Sequence, residues 1–275
     1  MFYITGDTHG EYYDILYRIN ENNIKEGDTL IVLGDFGANF FLNKRDREFK
    51  YKLSEKGITF FCIHGNHEER PKNISSYITK EWNGGTVYYE EAFPYILFAK
   101  DGEIYNINGK KCFVCGGAYS VDKYYRAFRG CLNNNIPVNI DALPHLRNLC
   151  GNIDVKKEDR KIVDKFVDTL SPKVTFWFKD EQPNDEIKRH CENVLEKINW
   201  KVDCVFTHTS PEKYEPTEVF LPGLNQNNVD KTTEKWFDKI EDKLDYEMWY
   251  AGHYHTNKKV NEHFTFLFNN VLKFE

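Results

Sequence analysis

Met1-Phe2-Tyr3-Ile4-Thr5-Gly6-Asp7-Thr8-His9-Gly10 opens the chain, and the fold follows from what this decapeptide shares with later stretches. Phe2 to Thr5 is a short apolar, β-favouring run that Gly6 ends. Asp7 and His9 follow two residues apart, a spacing that in extended backbone points both side chains to one side. Tyr12 to Asn20 then has helical character. A hard carboxylate and an imidazole leaving one strand end together make half of a divalent-metal site. Alone, Asp-x-His is equally a surface turn.

The same pattern returns twice. Thr29 to Leu33 is apolar and ends in Gly34-Asp35-Phe36-Gly37; Arg45 to Lys56 reads as a charged helix; Ile58 to Ile63 is apolar and ends in His64-Gly65-Asn66-His67-Glu68. Apolar runs alternating with helices predict βαβ units and a parallel sheet buried on both faces. Asp7, Asp35 and Asn66 are 28 and 31 residues apart, about one βαβ period each. In such sheets ligands bind at the carboxyl ends of the strands, where all three fall.

Beyond residue 85 the texture changes to short strands: Thr86 to Tyr89, Tyr95 to Ala99, Glu103 to Ile107 and Lys110 to Val114, the last two joined by an Asn108-Gly109 hairpin turn. Val121 to Arg129 is basic and aromatic. Residues 131 to 154 are Asn-rich and irregular, and Val155 to Leu170 reads as a helix with Ile162, Val163, Phe166, Val167 and Leu170 on one face. The chain is expected to be a single domain, 1–275, with residues 131–180 as an insertion or lid. Helices over Glu186 to Ile198 and Thr233 to Leu244 flank a strand, Val202 to Phe206, that ends in Thr207-His208. Met248 to Ala251 is a strand ending in Gly252-His253-Tyr254-His255, and Lys258 to Glu275 supplies closing strands.

Five loops therefore present metal-capable side chains just after apolar strands. Four of them carry Gly directly before the leading ligand, which suits a tight turn and close backbone approach. Five of the nine His lie in this pattern; His64, His145, His190 and His263 do not. As an ordered set the five loops point to a metal centre, although any single histidine is more simply a packed or surface imidazole.

Composition bounds the function. A net charge of −6 and a pI near 5.9 argue against wholesale binding to a nucleic-acid backbone. Seven scattered Cys show no disulfide framework, so a reducing, cytoplasmic compartment is expected, with Cys112-Phe-Val-Cys115 as buried thiols. No stretch reaches the roughly 18 apolar residues of a membrane span.

Taken in order, Gly-Asp-Thr-His-Gly, Gly-Asp-Phe, Gly-Asn-His-Glu, Thr-His and Gly-His-Tyr-His resemble the five signature blocks of the calcineurin-like metallophosphoesterases, from residue 5 to residue 255. The resemblance implies an α/β fold of two mixed β-sheets packed face to face with helices outside. It implies that Asp7, His9 and His255 hold one divalent metal ion, that Asn66, His208 and His253 hold a second, and that Asp35 bridges both. Carboxylate and imidazole ligands without thiolate fit Mn, Fe, Zn, Ni or Co, with Mn favoured. His67 resembles the family's histidine that stabilises or protonates the leaving oxygen. Many members carry a further Asp soon after the bridging one, often followed by Arg-Gly; Asp35-Phe-Gly-Ala-Asn-Phe has neither, which leaves open what orients His67 and argues against a full protein phosphatase.

Arg70, Lys123, Arg126 and Arg129 are candidates for a phosphate clamp, or equally a solvated basic face. The Gly116-Gly117 block with Ser120 and Asp122 is expected near the site. The implied activity is hydrolysis of phosphate esters, most simply as a phosphatase acting on a phosphorylated small molecule, nucleotide or phosphoprotein. A cyclic-nucleotide or nucleic-acid phosphodiesterase on the same centre, and a catalytically silent metal-binding scaffold, are the alternatives.

Overall fold

The computed structural model describes residues 1–137, 147–149, 152–155, 157–220 and 225–275. Strands and helices alternate first: β1 (Phe2–Thr5), α1 (Tyr12–Glu21), β2 (Thr29–Val32), α2 (Lys44–Ser54) and β3 (Thr59–Cys62). Hairpin-linked strands follow as β4 (Ile78–Trp82), β5 (Gly85–Glu90), β6 (Phe93–Ala99), β7 (Ile104–Ile107) and β8 (Lys110–Cys115). Then come α3 (Lys123–Asn133), β9 (Arg147–Leu149), β10 (Asn152–Asp154), α4 (Lys157–Val167), α5 (Pro172–Thr175) and α6 (Asp185–Lys197). The chain closes with β11 (Cys204–Thr207), α7 (Thr232–Glu241), β12 (Met248–Ala251), β13 (Lys258–Asn261), β14 (Phe264–Phe266) and β15 (Val271–Phe274).

Two mixed sheets result, ordered β15-β1-β2-β3-β6-β5-β4 and β13-β14-β12-β11-β8-β7. The centre of each is parallel, β1 to β2 to β3 to β6 in one and β8 to β11 to β12 to β14 in the other, and antiparallel strands close the edges.

Alternation along each strand builds the layers. Leu30 and Val32 face α1 and α2 in a core with Ile15, Ile19, Phe49 and Leu53, while Ile31 and Leu33 face the other sheet. In β8, Cys112 and Val114 join that inter-sheet core, whereas Phe113 and Cys115 pack against Cys191 and Leu195 of α6. A central strand covered on both faces needs apolar residues at every position, which is why these strands read as unbroken hydrophobic runs. The architecture is the helix-sheet-sheet-helix sandwich that the resemblance implied.

Three local features differ from the sequence reading. The β4–β5 hairpin was not anticipated, although Asn83 and Gly84 take φ of +49° and +85° and form the same kind of turn as Asn108-Gly109. The basic-aromatic stretch is the helix α3, its Tyr124, Ala127, Phe128 and Cys131 buried along one face. Tyr124, Ala127 and Phe128 form a small core of their own with Val155, Val163, Val167 and Trp177, reaching back before residue 131. Helix α4 is shorter than expected, and Ile162 is exposed rather than on the buried face. The lid expected over residues 131–180 lies partly outside the described residues.

Candidate metal centre

Parallel register brings the ligand loops to one level. Thr5 pairs with Val32 and Val32 with Cys62, while Thr207 pairs with Ala251, so the chains leaving these strand ends emerge side by side. Each then turns sharply. His9, Asp35, His253 and His255 adopt φ of +48°, +48°, +66° and +48°, left-handed backbone that costs on the order of 1–3 kcal/mol per residue and clusters at functional sites. Gly34 and Gly65 make room: a Cβ on Gly34 would lie 2.0 Å from the His208 ring, and one on Gly65 would lie 2.0 Å from the Asp35 carboxylate.

The side chains converge. Asp7 Oδ2 is 3.3 Å from His255 Nε2 and 3.9 Å from His9 Nε2, and those two rings meet at 2.9 Å. Asp35 Oδ2 lies 3.8 Å from His9 Nδ1 and 3.6 Å from His208 Nε2. Asn66 Oδ1 is 2.8 Å from His208 Nε2 and 3.1 Å from His253 Nδ1. Three sets, Asp7-His9-His255, Asp7-Asp35-His208 and His9-Asp35-His67, each bring ligand-capable atoms within 4.8 Å of one another. Asp35 belongs to two of them.

These atoms suit cations. His208 Nδ1 faces the Leu33 carbonyl at 2.8 Å, which can only accept, so Nδ1 carries the proton and Nε2 presents a lone pair. That lone pair points at Asn66 Oδ1 and Asp35 Oδ2, both acceptors. Asp7 Oδ2 is buried and makes no hydrogen bond. Electron-rich atoms facing one another repel unless a positive ion sits between them. Hard oxygens with imidazoles match first-row divalent metals.

The electrostatics agree. Burial alone would raise Asp35, but His67, His208 and His9 around it hold its carboxyl far below the usual range. Asp7 follows the same logic, burial being outweighed by His255, His208 and His9 together, which hold its carboxyl below the usual range. Burial, reinforced by His208, depresses His253 to about 3, which keeps its ring neutral and ligand-competent.

His67 lies beside this group. Its backbone N–H donates to Asp35 Oδ1 at 2.7 Å, and burial depresses its ring to about 4. Arg126 meets the ring, with Nη2 2.6 Å from Nε2 and also close against Nδ1. The other three cations of the expected clamp are arranged differently. Arg70 is buried and turned onto Asp101 and the Asp180 carbonyl, the latter at 2.7 Å. Lys123 pairs with Asp164 at 2.7 Å and lies over the Trp177 ring. Arg129 is exposed on α3. Arg70 and Lys123 are thus committed to internal ion pairs.

Of two supporting residues, Arg18 has no place in the sequence reading, and Ser120 is there only as expected near the site. Arg18 is buried between Ile15 and Ile19 on the inner face of α1 and donates to Thr5 Oγ1, Phe268 O and Asp7 O at 2.7, 2.7 and 3.0 Å, bracing the loop that carries Asp7. A charge on an apolar helical face was the available signal. Ser120 Oγ accepts from Asn66 Nδ2 at 2.8 Å, so the amide oxygen turns toward the histidines.

Residues 1–271 match the family model described as calcineurin-like phosphoesterase. Serine/threonine-protein phosphatase T of Trypanosoma brucei brucei is 33% identical over 130 residues, 44% of this chain and 26% of that protein, so the chain spans about a quarter of that relative's length. The crystal structure of phosphopantetheinyl hydrolase (PptH) from Mycobacterium tuberculosis aligns with a TM-score of 0.42 at 12% identity, covering 97% of this chain and 87% of that one. Among the described residues no helix is long and apolar enough to cross a membrane.

Proposed function

We propose that this chain, which belongs to the calcineurin-like phosphoesterase family, hydrolyses phosphate esters on a pair of divalent cations. Asp7, His9 and His255 would hold one ion, Asn66, His208 and His253 the other, with the Asp35 carboxylate shared. The observation that carries this is the position of Asp35, which approaches His9 from one loop and His208 from the opposite sheet. When bound, such cations neutralise phosphoryl oxygens and acidify a water to near-neutral pKa.

The protein's own groups do the rest. Leu33 and Ser120 hold His208 and Asn66 in the orientation that presents their lone pairs. The backbone N–H of His67 orients Asp35. The His67 ring, neutral at pH 7, is a hydrogen-bond donor for the departing ester oxygen. A phosphomonoester is favoured as substrate, on a small molecule, nucleotide or phosphoprotein, since the acidic chain offers no stripe for a nucleic-acid backbone.

With Mn²⁺ the purified chain should hydrolyse p-nitrophenyl phosphate or its bis ester, and Asp35→Asn should abolish turnover while circular dichroism stays unchanged. Inactivity on both esters with Mn, Fe, Zn, Ni and Co would overturn the hydrolase assignment in favour of a metal-binding scaffold.

A further inference from the structure

Helix α3 is built on the small separate core, and between them the segment leading into it and the helix itself touch two consecutive residues of the centre. Ser120 holds Asn66, and Arg126 meets His67. Arg126 is itself held on every nitrogen. Its Nε donates to Asp122 Oδ2 at 2.8 Å and its Nη1 to the Phe176 carbonyl at 2.7 Å, which leaves Nη2 for the His67 ring. Phe176 stands in left-handed backbone, φ +49°, and its ring stacks on Phe40 at 5.2 Å, tying this carbonyl to the loop that begins at Asp35. Among the described residues, Arg126 Nη2 is the one side-chain group set against both His67 ring nitrogens; it can donate only to the one that carries the lone pair, which leaves the other N–H free to donate.

We propose that Arg126 is a positioning residue for His67, supplied by α3 and fixed by Asp122 and Phe176. A guanidinium is a planar fork of donors, so three fixed contacts set its plane and, through Nη2, the orientation of the imidazole. The small core of Tyr124, Ala127, Phe128, Val163, Val167 and Trp177 then has a purpose: it anchors the helix that carries the fork. This differs from a clamp, in which Arg126 would be free to meet a phosphate. The proposal rests on the phosphoesterase assignment above.

The test uses Arg126→Ala, Arg126→Met (which keeps the apolar stem), Arg126→Lys, His67→Ala and the Arg126→Ala/His67→Ala double variant. Turnover of an alkyl phosphate with Mn²⁺ is measured, together with the rate at which diethyl pyrocarbonate labels His67 in metal-free protein, read by mass spectrometry. Loss of an outer-shell partner should lower kcat about 10–100-fold while KM holds. The double variant should be no slower than His67→Ala alone, since both remove one unit. Lysine should not restore the rate, because a single ammonium cannot meet three acceptors in a fixed plane. His67 should label several-fold faster once the guanidinium is gone. A raised KM with kcat intact, additive losses in the double variant, or unchanged His67 labelling would overturn the proposal. Inactive wild type would instead defeat the phosphoesterase assignment, and the labelling comparison would still decide the positioning role.

Discussion

His208 Nδ1 donates to the carbonyl of Leu33 across 2.8 Å, joining the end of β11 in one sheet to the end of β2 in the other. One hydrogen bond thereby fixes the tautomer of the proposed metal ligand His208 and joins two sheets. The His208 ring is buried, so no water can substitute for it. His208→Ala should lower bound metal from two ions to one or fewer after dialysis, and kcat/KM by about 100-fold or more. Elemental analysis of the dialysed variant checks the first, steady-state kinetics the second. Unchanged metal content would remove His208 from the ligand set.

Gly34 tests the same junction from the other side. An added methyl would meet His208 Nδ1 at 2.0 Å, on backbone already at φ +95°. Gly34→Ala should displace the ring, with loss of metal and activity. Gly84→Ala is the control, since its φ of +85° is similarly left-handed but nothing lies within 4 Å of the added atom. That variant should lose only about 1 kcal/mol of stability and keep full activity. Equal behaviour of the two would show that backbone strain, not the ligand contact, governs position 34.

His67 is expected to act on the leaving oxygen. His67→Gln should retain both metals yet slow hydrolysis of an alkyl phosphate by roughly 100-fold. The p-nitrophenyl ester, whose leaving group needs no help, should slow much less. A leaving-group series measured on wild type and variant decides this, and parallel losses across the series would rule out that role.

Two buried glutamates predict a stability loss on the alkaline side. Burial pushes Glu181 up to about 7 and Glu234 up to about 8, from an ordinary value of 4.5. Each has one oxygen without a hydrogen-bond partner. Both folded values lie above the unfolded one, so their contribution is complete below about pH 4.5 and is lost as pH rises through 7 and 8. At the extreme this is roughly 3 kcal/mol for Glu181 and roughly 5 kcal/mol for Glu234. Buried His67 and His253 are depressed and act oppositely, losing stability only as pH falls below about 6.5. The window from pH 6.5 to 9 therefore reports these glutamates together with Glu68, which burial also pushes up to about 8, and His255, whose burial is outweighed by Asp7 so that its ring is raised above the ordinary value. Thermal unfolding of metal-free protein should show Tm falling across that window, and Glu234→Gln should flatten the slope. A slope unchanged by the substitution would show that Glu234 does not titrate there.

Much of the centre was legible because its signals are local. Asp7, Asp35, Asn66, His208 and His253 each follow an apolar run and a tight turn, and a strand end needs only its own few residues to be recognised. Arg126 and Arg70 show the limit. Both are arginines near motif blocks, yet one meets His67 while the other is buried on Asp101 and Asp180. The contacts that separate them lie 31 to 110 residues away, beyond either residue's own segment.

The amino-acid sequence by itself determined the alternation of strands, the order of the five loops and the kinds of atoms they carry, since these depend on period and composition along the chain. Only the tertiary structure decided which of those atoms face one another across the two sheets, that α3 forms and turns Arg126 onto His67, and that Arg18 braces Asp7. These are choices among distant partners, made when burial forces each polar group to find an acceptor or donor that water no longer supplies.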